Sequence, residues 1–310
     1  MTTMTNTIPQ RLVPGTHHWY GLDYEQLPKK YMEFMNVILS DRAYEEINSL
    51  VGTEAASIKS EGSGLASTDL MNGFRQRLTS IGYGLVLHMT KEFMDDDQYA
   101  PKLAMRVGKC FADSMKHTEE VLAHSVLNDG FSTVSGAAAN MYQNPDAVAL
   151  FSASHVLKGG GTFSNTLATA SDLSQLAIET LVIQMRNFVN DRGQRINVEP
   201  RKMLVSPSDE FNAKRILTSV LESGSPNNDV NPLNGMLQLV VDPYLTDTDA
   251  WFITTSINTV DQGLVFMRRS EPQIDQDVEF TTKNGRISIY SRMGVGYCGD
   301  ARAICGSEGA

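Results

Sequence analysis

The stretch that decides the fold runs from His155 to Leu217, HVLKGGGTFSNTLATASDLSQLAIETLVIQMRNFVNDRGQRINVEPRKMLVSPSDEFNAKRIL. It continues with Asn231-Pro232-Leu233-Asn234-Gly235 and with LQLVVDPYL at 237–245. A glycine-rich turn, Gly159-Gly160-Gly161, leads into a helix expected to open at Ser171-Asp172. Leu173, Leu176, Ala177, Thr180, Leu181, Gln184, Met185 and Phe188 follow at close to a 3.6-residue period, and Asp191-Arg192-Gly193 stops the run. A strand is expected at 202–205. Ser206-Pro207 then reads as an N-cap with proline at the first helical position. The second helix carries Phe211, Ile216, Leu217, Val220 and Leu221 and is expected to run to Gly224-Ser225-Pro226. The stretch is well-formed α/β structure that offers no nucleophile, metal cluster or phosphate cradle.

Working outward, residues 1–22 are polar, contain Pro9 and Pro14, and read as an N-terminal arm. Tyr24 to Val51 is expected to be helical, with Tyr31, Phe34, Met35 and Ile38 as its buried stripe. Residues 52–90 hold six glycines and two strand-like runs, 74–81 and 83–90. A hairpin so poor in large apolar residues cannot build a core and must lie on its own body or on a neighbour. After Asp95-Asp96-Asp97, where the helix dipole favours negative charge, comes the longest helical pattern, Gln98 to Leu127. Ala100, Leu103, Ala104, Val107, Phe111, Met115, Thr118, Val121, Leu122 and Ser125 form its stripe. At 1.5 Å per residue this helix would span about 45 Å, long for a small domain. Strands are expected at 237–241, 251–257 and 263–268, and a hairpin around Asn284-Gly285.

Composition narrows the classes. The 310 residues suggest about two domains, and 41% hydrophobic residues suffice for a packed core. A net charge of −10 argues against a protein that coats nucleic acid. Cys110, Cys298 and Cys305 are odd in number and lack CxxC spacing, which points away from a disulfide framework or a zinc site. The N-terminus has no apolar signal region, and no apolar run reaches the ~18 residues of a membrane span, so no membrane partner is expected.

Each chemical candidate fails on spacing. No Gly-Lys-Ser/Thr follows Gly161, so the triple glycine reads as a flexible turn. Asp95–Asp97 with His88 upstream could hold a hard cation, but a helix cap accounts for them more simply. His17-His18 and the pair His117 and His124 lack zinc spacing. Asp242, Asp247 and Asp249 lack the glycine and glutamate of a calcium loop. Arg268-Arg269 reads as a solvated strand end or an intersubunit salt bridge. The expectation is therefore no catalytic, cofactor or metal site, with His155 hydrogen-bonded inside its loop.

Taken in order, several of these pieces resemble the major capsid (major head) proteins of tailed bacteriophages, in particular the Mu-like major head subunit family. They are His155, Gly160-Gly161-Thr162, Ser164-Asn165, Pro200-Arg201-Lys202-Met203-Leu204-Val205, Ala213–Leu217, Asn231-Pro232, Val240–Leu245, Trp251-Phe252-Ile253 and RMGVGYCGDARAICGSEG at 292–309. With Tyr83-Gly84, Thr90, Glu92 and Asp95–Asp97, the resemblance covers roughly 75–305. It implies an α+β, Hong Kong 97-type capsid fold: a peripheral domain from 23–52, 90–135 and 277–310 with a long spine helix and a sheet, an axial α/β domain at 136–276, an extended loop at 53–89, and the arm at 1–22. The implied function is self-assembly through pentamers and hexamers into an icosahedral shell that encloses double-stranded DNA without binding it specifically, which suits a net negative wall. The implied partners are other copies of the chain, a separate scaffolding protein (the arm begins almost at Met1), a portal protein and a possible decoration protein. The implied location is the virion, after assembly in the host cytoplasm. Some relatives crosslink a loop lysine, for which Lys59 is placed. Within the same fold the alternative is an encapsulin-like compartment shell; outside it, a metal- or nucleotide-dependent α/β enzyme.

Overall fold

The longest strands set the frame. β10 (Leu264–Val278) and β11 (Gly285–Tyr297) run antiparallel from Leu264↔Tyr297 to Val278↔Gly285. β1 (Asn36–Leu39) adds to β10 in parallel, and β4 (Ile81–Met89) adds to β11 antiparallel, giving the order β1-β10-β11-β4. The computed structural model describes residues 28–96, 100–133, 146–221, 229–297 and 299–310, without the side chains of 94, 95 and 100–105. Period-two alternation in β11 turns Ile287, Ile289, Met293 and Val295 into the core. There they meet α2 (Ala100–Asn128; α1 is Lys91–Asp96) through Val107, Phe111 and Met115. Tyr31 stacks on Phe266 in the same cluster, with ring centroids 4.6 Å apart.

The second sheet has the order β12-β9-β7-β8, from Ile304–Ser307, Trp251–Thr255, Pro200–Val205 and Gln238–Val241 respectively. β7 and β8 are parallel and joined through α4 (Glu210–Thr218), while β9 and β12 are antiparallel to their neighbours. Met203, Val205, Trp251, Ile253 and Cys305 pack under α4 and α3 (Gln175–Arg186) in a second apolar cluster. The alternate residues Leu204, Val240, Phe252 and Ile304 belong to the first cluster. A sheet buried on both faces explains the near-continuous apolar runs in its strands, and it ties the two cores together.

Several sequence expectations are corrected. Tyr24–Val51 is not a helix: from Lys30 it holds a short 3-10 turn (Lys30–Glu33), β1 and β2 (Tyr44–Val51). Tyr31, Phe34 and Met35 are buried as expected, on that turn rather than along a helix. The two glycine-segment strands, β3 (Met71–Thr79) and β4, do not pair with each other; β3 pairs with β2, and β4 joins the first sheet. The α3 cap is Ser174, whose hydroxyl accepts from Ala177 N, not Ser171-Asp172, and Leu176 is exposed. α4 ends at Thr218, where Ser219 turns extended, leaving Val220 and Leu221 exposed beyond it; 222–228 lie outside the described residues. Gly285 is already in β11, and Lys283, with φ 58°, takes the left-handed position of that turn. On α2 the expected stripe holds at Val107, Phe111, Met115, Leu122 and Ser125, whereas Val121 is exposed. The arm at 1–22, Gln98, Asp97 and Cys298 also lie outside the described residues.

Candidate assembly interface

β2 and β3 form a two-stranded stalk whose register runs from Tyr44↔Thr79 to Val51↔Met71. Its charges are complementary across the ladder: Glu46 on β2 accepts from Arg75, and from Arg77 Nε at 2.8 Å. These two guanidinium groups hold the Glu46 carboxyl below its usual range. Between Asn48 and Leu50 the register slips, and Gly73 lies against Ser49; a Cβ there would stand 2.9 Å from the Ser49 carbonyl oxygen. Only glycine lets the two backbones approach so closely.

Beyond the stalk, residues 52–70 are exposed throughout. They include Ile58 (98% exposed), Leu65 (82%) and Leu70 (73%), large apolar side chains outside both cores. Single exposed apolar residues are ordinary; three on one loop make it a candidate surface for a neighbour to cover. Lys59 is on this loop and exposed.

Within the subunit, a buried polar cluster joins α2 to its surroundings. Arg268 donates to Glu119 Oε1 at 2.9 Å and to Tyr31 Oη at 3.1 Å, and Lys29 Nζ stands 3.7 Å from Glu119 Oε2. Glu120 accepts from the backbone amides of Lys30 (2.7 Å) and Tyr31 (3.1 Å). His124 bridges Glu120 O and Asp242 Oδ2, both at 2.6 Å. Burial pushes the Glu120 carboxyl and the Tyr31 hydroxyl up and the Lys29 amine down, each toward its neutral form. Arg268 is thus neither a solvated strand end nor an intersubunit cation, but half of a buried ion pair within the subunit, which corrects the expectation for it.

The other residues singled out from sequence are scattered. His155 bridges Asp146 Oδ2 (2.6 Å) and Leu150 O (3.1 Å), a bond within its own loop as expected. Asn165 donates to the carbonyls of Leu150, Ala301 and Ile304 and secures that loop to the C-terminal strand. Gly159 faces the backbone of Asp191, with 1.9 Å from an added Cβ to the carbonyl oxygen, so the triple glycine serves close packing and a turn. His88 and Asp96 are exposed on β4 and α1, His117 is exposed on α2, and Asp247 only accepts from Asp249 N. Cys110 is exposed and Cys305 buried. Among the described residues no group of three or more His, Cys, Asp or Glu is placed to hold a metal ion. No helix among them is long and apolar enough to cross a membrane.

An exposed loop on a two-stranded stalk, a long helix and two joined sheets can be compared with known proteins. The family described as "Phage capsid protein" matches residues 77–306, about three quarters of the 310-residue chain. The chain belongs to that family. The capsid of an empty GTA particle aligns with a TM-score of 0.56 at 12% identity, over 89% of this chain and 88% of that one. Mycobacterium phage Patience gives 0.55 at 10% identity, over 97% and 87%. The capsid of bacteriophage JBD30, decorated with minor capsid protein trimers, gives 0.53 at 14% identity, over 71% and 92%. At such identities the structures establish a shared fold, the Hong Kong 97 type. Curated proteins yield no match. Family and fold together make this a major capsid protein of a tailed phage and disfavour the compartment-shell alternative.

Proposed function

We propose that the subunit assembles through pentamers and hexamers into a closed icosahedral head shell around double-stranded DNA, with its loop at 52–70 lying on a neighbouring copy. The observation that carries this reading is that loop: exposed from end to end, armed with Ile58, Leu65 and Leu70, and held out by a stalk whose base packs on the first core through Ile47 and Leu78. The JBD30 and GTA neighbours are assembled capsids, which supports the same role here. We assign the first sheet with α2 to the peripheral part and the second sheet with α3 and α4 to the axial part; this moves β10 out of the expected axial span 136–276 and β4 out of the expected loop 53–89. β12 pairs with β9, so we assign the C-terminal strand to the axial part. The protein's work is assembly rather than catalysis. Because each subunit is held at several contacts, weak individual interfaces suffice for a durable shell. In this reading a scaffolding protein and a portal protein are further partners, with room for a decoration protein, and a net charge of −10 lets the wall enclose DNA without gripping it.

Negative-stain microscopy of the purified protein, with and without residues 58–70, tests the reading. Shells from the complete chain and soluble, folded, unassembled subunits from the deletion are expected. Normal shells from the deleted protein would refute the role given to the loop.

A further inference from the structure

One guanidinium holds both legs of the projecting loop. On the outgoing leg, Arg192 donates from Nε to the Gly52 carbonyl at 3.2 Å and from Nη1 to Glu54 Oε1 at 3.3 Å; on the returning leg, it donates from Nη2 to the Asp69 carbonyl at 2.9 Å. Gln194 adds a bond to the Thr53 carbonyl at 3.4 Å. These are the contacts a planar fork can make and a point charge cannot.

The turn that carries Arg192 is itself fixed. Asn190 Oδ1 accepts from the amides of Arg192 and Gln194, both at 2.9 Å, and Asn190 Nδ2 donates to Gln194 Oε1 at 2.9 Å. Gly193 takes φ 77°, a conformation open to glycine. Phe188, buried in the second core, anchors the turn directly after α3. A rigid tether therefore runs from the axial core to the base of the loop. Beside it lies a cavity of about 70 Å³ lined by Leu50 and Phe74 of the stalk and by His155 and Arg302 of the body, so the stalk and body are not packed tightly together there.

We infer that Arg192 is a positioning residue that sets the angle at which the assembly loop leaves the subunit, and through that angle the curvature the subunits adopt when they assemble. This deepens the reading of 52–70 as the assembly loop and rests on it. The carbonyl bonds are the essential ones, because Glu54 is mostly exposed and its ion pair is weak.

The test compares Arg192→Ala, Arg192→Lys and Glu54→Gln in the full-length chain. Limited proteolysis of unassembled subunits reads the tether directly. Arg192→Ala should be cut within 53–70 about tenfold faster than wild type, the factor that loss of one charged hydrogen bond allows. Arg192→Lys should fall between them, Glu54→Gln should match wild type, and melting temperatures should stay within a few degrees. Particles from Arg192→Ala should show a broad spread of diameters. Equal cleavage rates in all variants would overturn the tether whether or not shells form. Faster cleavage with particles of unchanged, uniform diameter would overturn its link to curvature. If wild type itself formed no particles, the reading of the function would fail, while the proteolysis result would still stand.

Discussion

Replacing Arg268 with leucine should cost about 3 kcal/mol, because it removes the nearest cation from a carboxylate that has no route to water. Glu119 is fully buried, and Arg268 makes its shortest ion pair at 2.9 Å. Removing one partner of a buried pair typically costs about 3–5 kcal/mol. The lower end applies because Lys29 remains 3.7 Å from the other carboxylate oxygen. For a chain of 310 residues, at about 2 °C per kcal/mol, the subunit should melt roughly 6 °C lower. The assay is thermal unfolding of unassembled subunits by circular dichroism, with Glu119→Gln and the double variant completing a cycle. With the charge at 119 gone, Arg268→Leu should do less harm, giving a coupling of about 1 kcal/mol or more. Simple additivity of the two single changes, or an unchanged melting temperature for Arg268→Leu, would refute the buried pair.

Further consequences can be checked separately. Val107→Asp buries an unpaired charge where α2 meets the first sheet and should yield insoluble protein in a fractionation assay; a soluble, cooperatively melting variant would move that residue to the surface. Gly159→Ala should lower stability by about 1–3 kcal/mol, since its methyl would overlap the Asp191 carbonyl, and a calorimetric scan would detect the loss. Burial raises the Cys305 thiol far above its ordinary value, so in the native subunit a thiol reagent should label Cys110 and reach Cys305 only on unfolding; peptide mapping distinguishes them. Burial also raises the Glu120 pKa above the carboxyl's usual 4.5. Between that value and the raised one the folded state binds more protons than the unfolded state, so stability from this group falls as pH rises. Wild type should therefore lose ground to Glu120→Gln as pH climbs from 4.5, and parallel pH profiles would contradict it.

Much of the second sheet could be read in the chain because its signals are local. Ser206-Pro207 sits between β7 and the helical turn it was expected to start, and the apolar runs at 202–205 and 237–241 became paired parallel strands. The segment from Tyr24 to Val51 misled because Tyr31, Phe34, Met35 and Ile38 mimic a helical stripe. Asn36–Leu39 is instead drawn into a strand by β10, more than two hundred residues away, and Glu46 sits in a strand beside Arg75 and Arg77 supplied by β3. The buried polar cluster escaped notice for the same reason. Glu119 and Glu120 look like a solvated helix face until Arg268, Lys29 and the 30–31 amides arrive from elsewhere in the chain. One signal was available: Met115, Leu122 and Ala123 surround the pair on the helix, leaving little of that turn to face water. The projecting loop was legible as a region without a core, but its tether to Arg192 was not, since a guanidinium bonded to backbone carbonyls leaves no trace in residue type.

A cryo-electron microscopy map of particles assembled from this chain tests the central claim most directly. The account predicts rings of six and five copies closed into a shell, with Ile58, Leu65 and Leu70 of each loop covered by the adjacent copy. Particles in which those three side chains stay in solvent, or a protein that stays monomeric at every concentration tried, would contradict it.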